Sequence, residues 1–181
     1  MTTLTQTDRP LSLAERAVAA LGKSLPSTEK SCLLLDVSGS MDDPAEPGVR
    51  KITALRSVVA GLSAPAIFAF SRRCRRVTRE TIPNPDGGTA LHIALAHVRA
   101  RGMTRVVLVT DGLPDDEQAA LDQARGLALE ICYVGPAPQP EFLSRLAAAA
   151  RAGSSATQCS LASGDRAKLA QRMTLLLTDG R

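Results

Sequence analysis

Tryptophan is missing from this 181-residue chain, and three phenylalanines with one tyrosine make up its aromatic content. So few rings exclude an aromatic platform on which nucleic acid bases stack. The core has to be aliphatic, and a hydrophobic content of 44% in a chain the size of one ordinary domain is enough to build it. No apolar run is long enough to cross a bilayer. Residues 1–23, MTTLTQTDRPLSLAERAVAALGK, contain acids and lack the continuous apolar segment of a signal peptide. Cys32, Cys74, Cys132 and Cys159 are widely spaced, and Cys32 and Cys132 lie inside apolar runs. That pattern suits reduced thiols and neither a disulfide framework nor a zinc knuckle. Together these absences predict a cytoplasmic protein with no membrane attachment.

Catalytic signals are scarce as well. The two histidines, His92 and His97, are five residues apart on a helical stretch, an angle that does not bring them together. Packing is their expected role. The chain has no glycine-rich phosphate loop followed by lysine, which disfavours ATP hydrolysis by this chain alone. Ser38-Gly39-Ser40 lacks the leading glycine of a nucleophile elbow.

What is present is a regular exchange of short apolar runs and longer helical patterns. Strands are expected at 31–36, 66–70, 105–110, 128–134 and 156–161, and helices at 49–62, 90–101, 117–126, 141–152 and 165–178. Runs such as CLLLD and RVVLVTD are apolar at successive positions, so both faces of these strands need cover. The prediction is an α/β fold, doubly wound, with a mostly parallel central sheet and helices on both faces. Residues 1–30 are expected to form an extension with one helix near 12–22, where Ser12 as N-cap and Glu15 would complete a capping box. Residues 31–181 form the domain.

In an open parallel sheet, ligands collect beyond the carboxyl ends of the strands. LLLDVSGSMDD runs out of the first strand at that edge: Asp36 closes the strand, and Ser38 and Ser40 follow at alternate positions. NPDGGTALHIAL brings Thr89 to the start of a helix, and VVLVTDGLPDD ends an apolar strand on Asp111. Two carboxylates and three hydroxyls then converge. All are hard oxygen donors, with no sulfur or imidazole among them, a chemistry that favours Mg²⁺ first, or Mn²⁺, over zinc or copper.

Asp36, Ser38, Ser40, Thr89 and Asp111 resemble a complete metal ion-dependent adhesion site of the von Willebrand factor A domain family, and GGT and TDGLPDD resemble the family's second and third motif loops. The likeness runs from about residue 31 to residue 177. It implies a Rossmann-like fold with one antiparallel edge strand, in which Ser38, Ser40 and Thr89 touch the metal directly and Asp36 and Asp111 contact it directly or through water. It also implies a partner protein whose Asp or Glu carboxylate takes the remaining coordination position. The expected function is a metal-dependent interaction module and not an enzyme. By family analogy it is an adaptor for an AAA-type ATPase or a stress-response assembly.

Arg72, Arg73, Arg75, Arg76 and Arg79 fall within SRRCRRVTRE, where the family places its edge strand. Arginines there deter edge-to-edge pairing, and they could also dock an acidic protein. Nucleic acid is a weak reading, since the net charge is only +4 and no aromatics are interleaved. Two alternatives stay open: a Mg²⁺-dependent hydrolase or phosphoryl-transfer enzyme, and a nucleic-acid-associated binding protein. The remaining acids near the edge, Asp42, Asp43, Glu46, Asp86, Asp115 and Asp116, are expected to solvate loops.

Overall fold

The computed structural model describes residues 30–64 and 66–178. The helix expected near 12–22 lies outside them. The central strand β1 (Ser31–Asp36) leaves the sheet through a 3₁₀ turn at Gly39–Asp42 and a small ribbon of β2 (Pro44–Glu46) and β3 (Val49–Arg50). Next come α1 (Lys51–Ala60), β4 (Ile67–Phe70), β5 (Cys74–Val77), α2 (Leu91–Ala100) and β6 (Arg105–Thr110). The chain continues with α3 (Glu117–Ala124), β7 (Ala128–Tyr133), α4 (Glu141–Ala149), β8 (Ser155–Gln158) and α5 (Arg166–Thr178).

Six strands form one sheet in the order β5-β4-β1-β6-β7-β8. Only β5 runs antiparallel to its neighbour, so the arginine-rich segment is the antiparallel edge strand that was expected there. The unbroken apolar runs are explained by two cores. Cys32 and Leu34 of β1 pack with α2, α3 and α4 on one face, while Leu33 and Leu35 pack with α1 and α5 on the other. All four side chains are shut off from solvent. Each buried leucine contributes about 1.5–3 kcal/mol relative to leaving it in water.

Two boundaries differ from expectation, for local reasons. The helix expected over 49–62 starts at Lys51, because Val49 and Arg50 pair with β2 before the chain turns into α1. The strand expected over 156–161 ends at Gln158; the Cys159 amide still donates to Tyr133 O at 2.7 Å, and Leu161 then drops into the core beside α5. All four cysteines are free thiols, with Cys32 and Cys132 buried. Burial pushes the Cys32 thiol up to about 12, which leaves it unreactive at neutral pH. Among the described residues, no helix is long and apolar enough to cross a membrane.

The sheet order places β1 at a reversal: the chain moves outward through β4 and β5, then returns to the other side of β1 with β6. The register aligns Leu35 with Val109, so Asp36 finishes β1 level with Thr110, and Asp111 stands one residue beyond. This is the crevice in which open α/β sheets hold their ligands.

Candidate functional site

Asp36 is fully buried at the end of β1. One carboxylate oxygen, Oδ1, accepts the Ser38 amide at 2.8 Å, and the other, Oδ2, accepts the Thr110 hydroxyl at 2.6 Å. Burial is the largest influence on this acid. It outweighs the hydrogen bonds from Thr110 and Ser38, and with a smaller push from the Asp111 charge it raises the carboxyl to about 6. The carboxylate is thus held in a place where its charge lacks full compensation.

Ser38 and Ser40 project from the turn after β1, with their hydroxyls 3.2 Å apart. Ser40 Oγ donates to Asp111 Oδ1 at 2.7 Å, joining the first loop to the end of β6 across 71 residues of sequence. Thr89 is tied in through backbone. The Gly39 amide donates to Gly87 O at 2.9 Å and the Asp86 amide to Val37 O at 2.9 Å, so the second loop lies directly on the first. Asp115 Oδ1 accepts the Thr89 amide at 3.0 Å, and the Asp115 amide returns a bond to Thr89 O at 3.0 Å. Gly88 makes that clasp possible, because a Cβ there would come within 2.6 Å of the Asp115 carboxylate. All five residues singled out in the sequence therefore stand on three loops laced together at one edge of the sheet.

The neighbouring acids do more than solvate loops. Asp116 caps α3 by accepting the Ala119 amide at 2.9 Å. Asp42 pairs with Arg50 at 2.8 Å. Glu46 accepts the Ser163 amide at 3.0 Å and binds Arg166 at 2.5 Å, fastening the β2 ribbon to the start of α5.

Two site residues escaped the sequence reading. Thr110 holds Asp36, as described. Lys51 reaches in from the first turn of α1, and its side chain is only 10% exposed. Its Nζ donates to Asp111 Oδ2 at 2.6 Å and to Ser40 O at 3.2 Å, with Asp43 Oδ2 at 3.5 Å. Burial pulls this ammonium down, but the hydrogen bond and charge of Asp111, helped by Asp43, leave it above the ordinary lysine range. A signal existed: Lys51 occupies the helix face shared by Leu55 and Val58, positions at which an apolar residue is normal.

The donor set suits a hard divalent cation. It offers two buried carboxylates, one closing β1 and one just beyond β6, and three hydroxyls, with no soft ligand. Among the described residues, no three or more His, Cys, Asp or Glu side chains gather as a metal cluster, so such an ion would depend on the hydroxyls as much as on the acids.

No family model matches the chain, and a search of curated proteins gives no match. Solved structures do resemble it. A von Willebrand factor type A protein from Catenulispora acidiphila aligns at 20% identity and a TM-score of 0.61, covering 83% of this chain and 42% of that protein. Manganese-loaded TRAP protein from Plasmodium vivax aligns at 18% identity and a TM-score of 0.56, covering 84% of this chain and 75% of that one. The Ro (RSR) protein of Deinococcus radiodurans aligns at 16% identity and a TM-score of 0.51, covering 92% and 38%. This chain thus spans less than half the length of the Catenulispora and Deinococcus proteins. At these identities the likeness establishes the fold: a mostly parallel six-stranded α/β sheet of the von Willebrand factor A type.

Proposed function

We propose that the chain is a metal-dependent protein-interaction module whose site, formed by Asp36, Ser38, Ser40, Thr89 and Asp111, holds Mg²⁺ or Mn²⁺ and binds a partner protein through one Asp or Glu carboxylate. The observation that carries this reading is the joining of two buried carboxylates, at the end of β1 and just beyond β6, by the turn between them: the Ser38 amide donates to Asp36, the Ser38 and Ser40 hydroxyls lie 3.2 Å apart, and Ser40 Oγ donates to Asp111 at 2.7 Å. Structural likeness to a manganese-loaded protein supports the choice of ion. A cation held by these residues would supply the positive charge that attracts an external carboxylate oxygen. Around it, Thr110 and the Ser38 amide keep Asp36 aimed at the edge, and the Asp115 clasp fixes the loop of Thr89.

A non-catalytic role fits the surroundings. Both histidines lie on α2 and are half-buried, and His97 packs edge-on against Phe68 with ring centroids 5.8 Å apart. Neither supplies a general base at the strand ends. The module is read as an adaptor within a larger assembly, such as that of an AAA-type ATPase or a stress response.

Mn²⁺ titration by calorimetry tests the site. Wild type should bind one ion, and Asp111→Ala should weaken binding by at least tenfold, because a carboxylate supplies much of the attraction for a divalent cation. Thr89→Ala should lower retention of partner proteins in Mg²⁺ while leaving the thermal midpoint nearly unchanged. Equal Mn²⁺ affinity in wild type and Asp111→Ala would falsify the assignment.

A further inference from the structure

Lys51 changes the electrostatics of the site in a way the donor set alone does not reveal. Asp36 and Asp111 together carry two negative charges, which would match a divalent ion. The Lys51 ammonium sits 2.6 Å from Asp111 Oδ2, with its side chain 10% exposed and that of Asp111 fully buried. At this depth solvent screens the pair poorly, so the positive charge acts on the whole edge. Lys51 also donates to the Ser40 carbonyl at 3.2 Å, on the residue whose hydroxyl holds Asp111 Oδ1 at 2.7 Å. The ammonium therefore grips both sides of the contact that joins the first and third loops. Counting the buried groups alone, Asp36, Asp111 and Lys51 carry one net negative charge, and a bound divalent ion would leave one positive charge in excess; Asp43, 3.5 Å from the ammonium but 65% exposed, and the exposed Asp115 are screened by solvent and weigh less.

We propose that Lys51 is a tethered counter-cation of the metal edge: it keeps the loops closed without metal, weakens the hold on a divalent ion alone, and makes an external carboxylate the group that restores charge balance. Metal and partner carboxylate then bind cooperatively, each raising the affinity for the other. The inference rests on the metal-binding reading above and adds the residue that couples the two ligands. It opposes the simpler role in which Lys51 only orients Asp111. An orienting lysine would make metal binding weaker when removed, whereas a competing cation makes it stronger.

The test is Mn²⁺ titration of wild type, Lys51→Met and Lys51→Arg, each in sodium chloride and in sodium acetate of equal ionic strength, with thermal melts in EDTA and in Mn²⁺. Lys51→Met should bind Mn²⁺ about tenfold or more tightly than wild type, as expected when a poorly screened unit charge is removed. Its melt in EDTA should fall below that of wild type and recover with Mn²⁺. Lys51→Arg, which keeps the charge, should stay near wild type in affinity. Acetate should tighten Mn²⁺ binding more in wild type than in Lys51→Met. If Lys51→Met does not fold, Lys51→Gln, which keeps a donor for Asp111 without the charge, carries the same comparison. Mn²⁺ binding to the neutral variant that is equal to or weaker than wild type overturns the role of Lys51 and leaves the metal site standing. Folded wild type and neutral variant that both fail to bind Mn²⁺ overturn the metal reading and this inference together.

Discussion

Among the described residues Asp36 has no basic partner, only a hydroxyl and an amide, and its carboxyl rises to about 6 because burial penalises the charged form. In the metal-free protein the contribution of this group to stability is fully present below the ordinary carboxyl value of 3.8 and is lost as pH climbs through about 6. A cation reverses that preference by stabilising the ionised form, and protons compete with it. The gain in thermal midpoint from a fixed Mn²⁺ concentration should therefore be larger at pH 7.5 than at pH 5, as read by paired melts with Mn²⁺ or EDTA. An equal gain at both pH values would remove Asp36 from the ion's surroundings. The residues that announced themselves in the sequence are those whose chemistry is out of place: an acid closing an apolar strand, and hydroxyls at alternate positions after it. The one signal at Lys51, a lysine on an apolar helix face, did not say what it would meet, and Thr110 was silent because a threonine looks ordinary in a strand. Only the folded register brings them to Asp111 and Asp36.

At the scale of elements, the third loop depends on how α3 begins. Asp116 caps that helix through the Ala119 amide, and the adjacent Asp115 clasps the loop of Thr89. Asp116→Ala removes an N-cap and should cost about 1 kcal/mol, seen as a lower midpoint in urea with an unchanged slope. Because Asp115 is the next residue, amide exchange at Thr89 should quicken in the same variant. Protection at Thr89 equal to wild type would show that the clasp holds without the cap. The apolar runs of β1 and β6 made the parallel sheet legible, since strands covered on both faces have no polar side to alternate. The β2 and β3 ribbon was illegible for the opposite reason. Its strands are three and two residues long, too short for any period, and the ribbon is held by Glu46 reaching Ser163 and Arg166 more than a hundred residues away.

At the scale of the whole molecule, positive charge among the described residues is unevenly placed. Arg72, Arg73, Arg75 and Arg76 are exposed along β5 and the turn before it, at one edge of the sheet. The register pairs Cys74 with Phe70 and Val77 with Ile67, so the arginine segment starts near the carboxyl end of β4 and descends from there. At its upper end the Arg72 side chain packs close enough to the second loop that a Cβ on Gly87 would meet its Nε at 2.9 Å. The arginine edge and the proposed metal edge are therefore continuous, and on that proposal a partner seated there would find cationic side chains alongside. Such exposed charges act mainly on the rate of encounter and on salt dependence; on the function proposed above, the carboxylate at the metal is what decides whether the complex forms. With protein retained from a lysate on immobilised wild type in Mg²⁺, EDTA should release it and renewed Mg²⁺ should recapture it. Arg75→Glu with Arg76→Glu should reduce capture modestly and flatten its dependence on salt. If chelation leaves the complex intact while the double charge reversal abolishes it, the arginine edge is the interface and the carboxylate-metal contact is not what holds the partner.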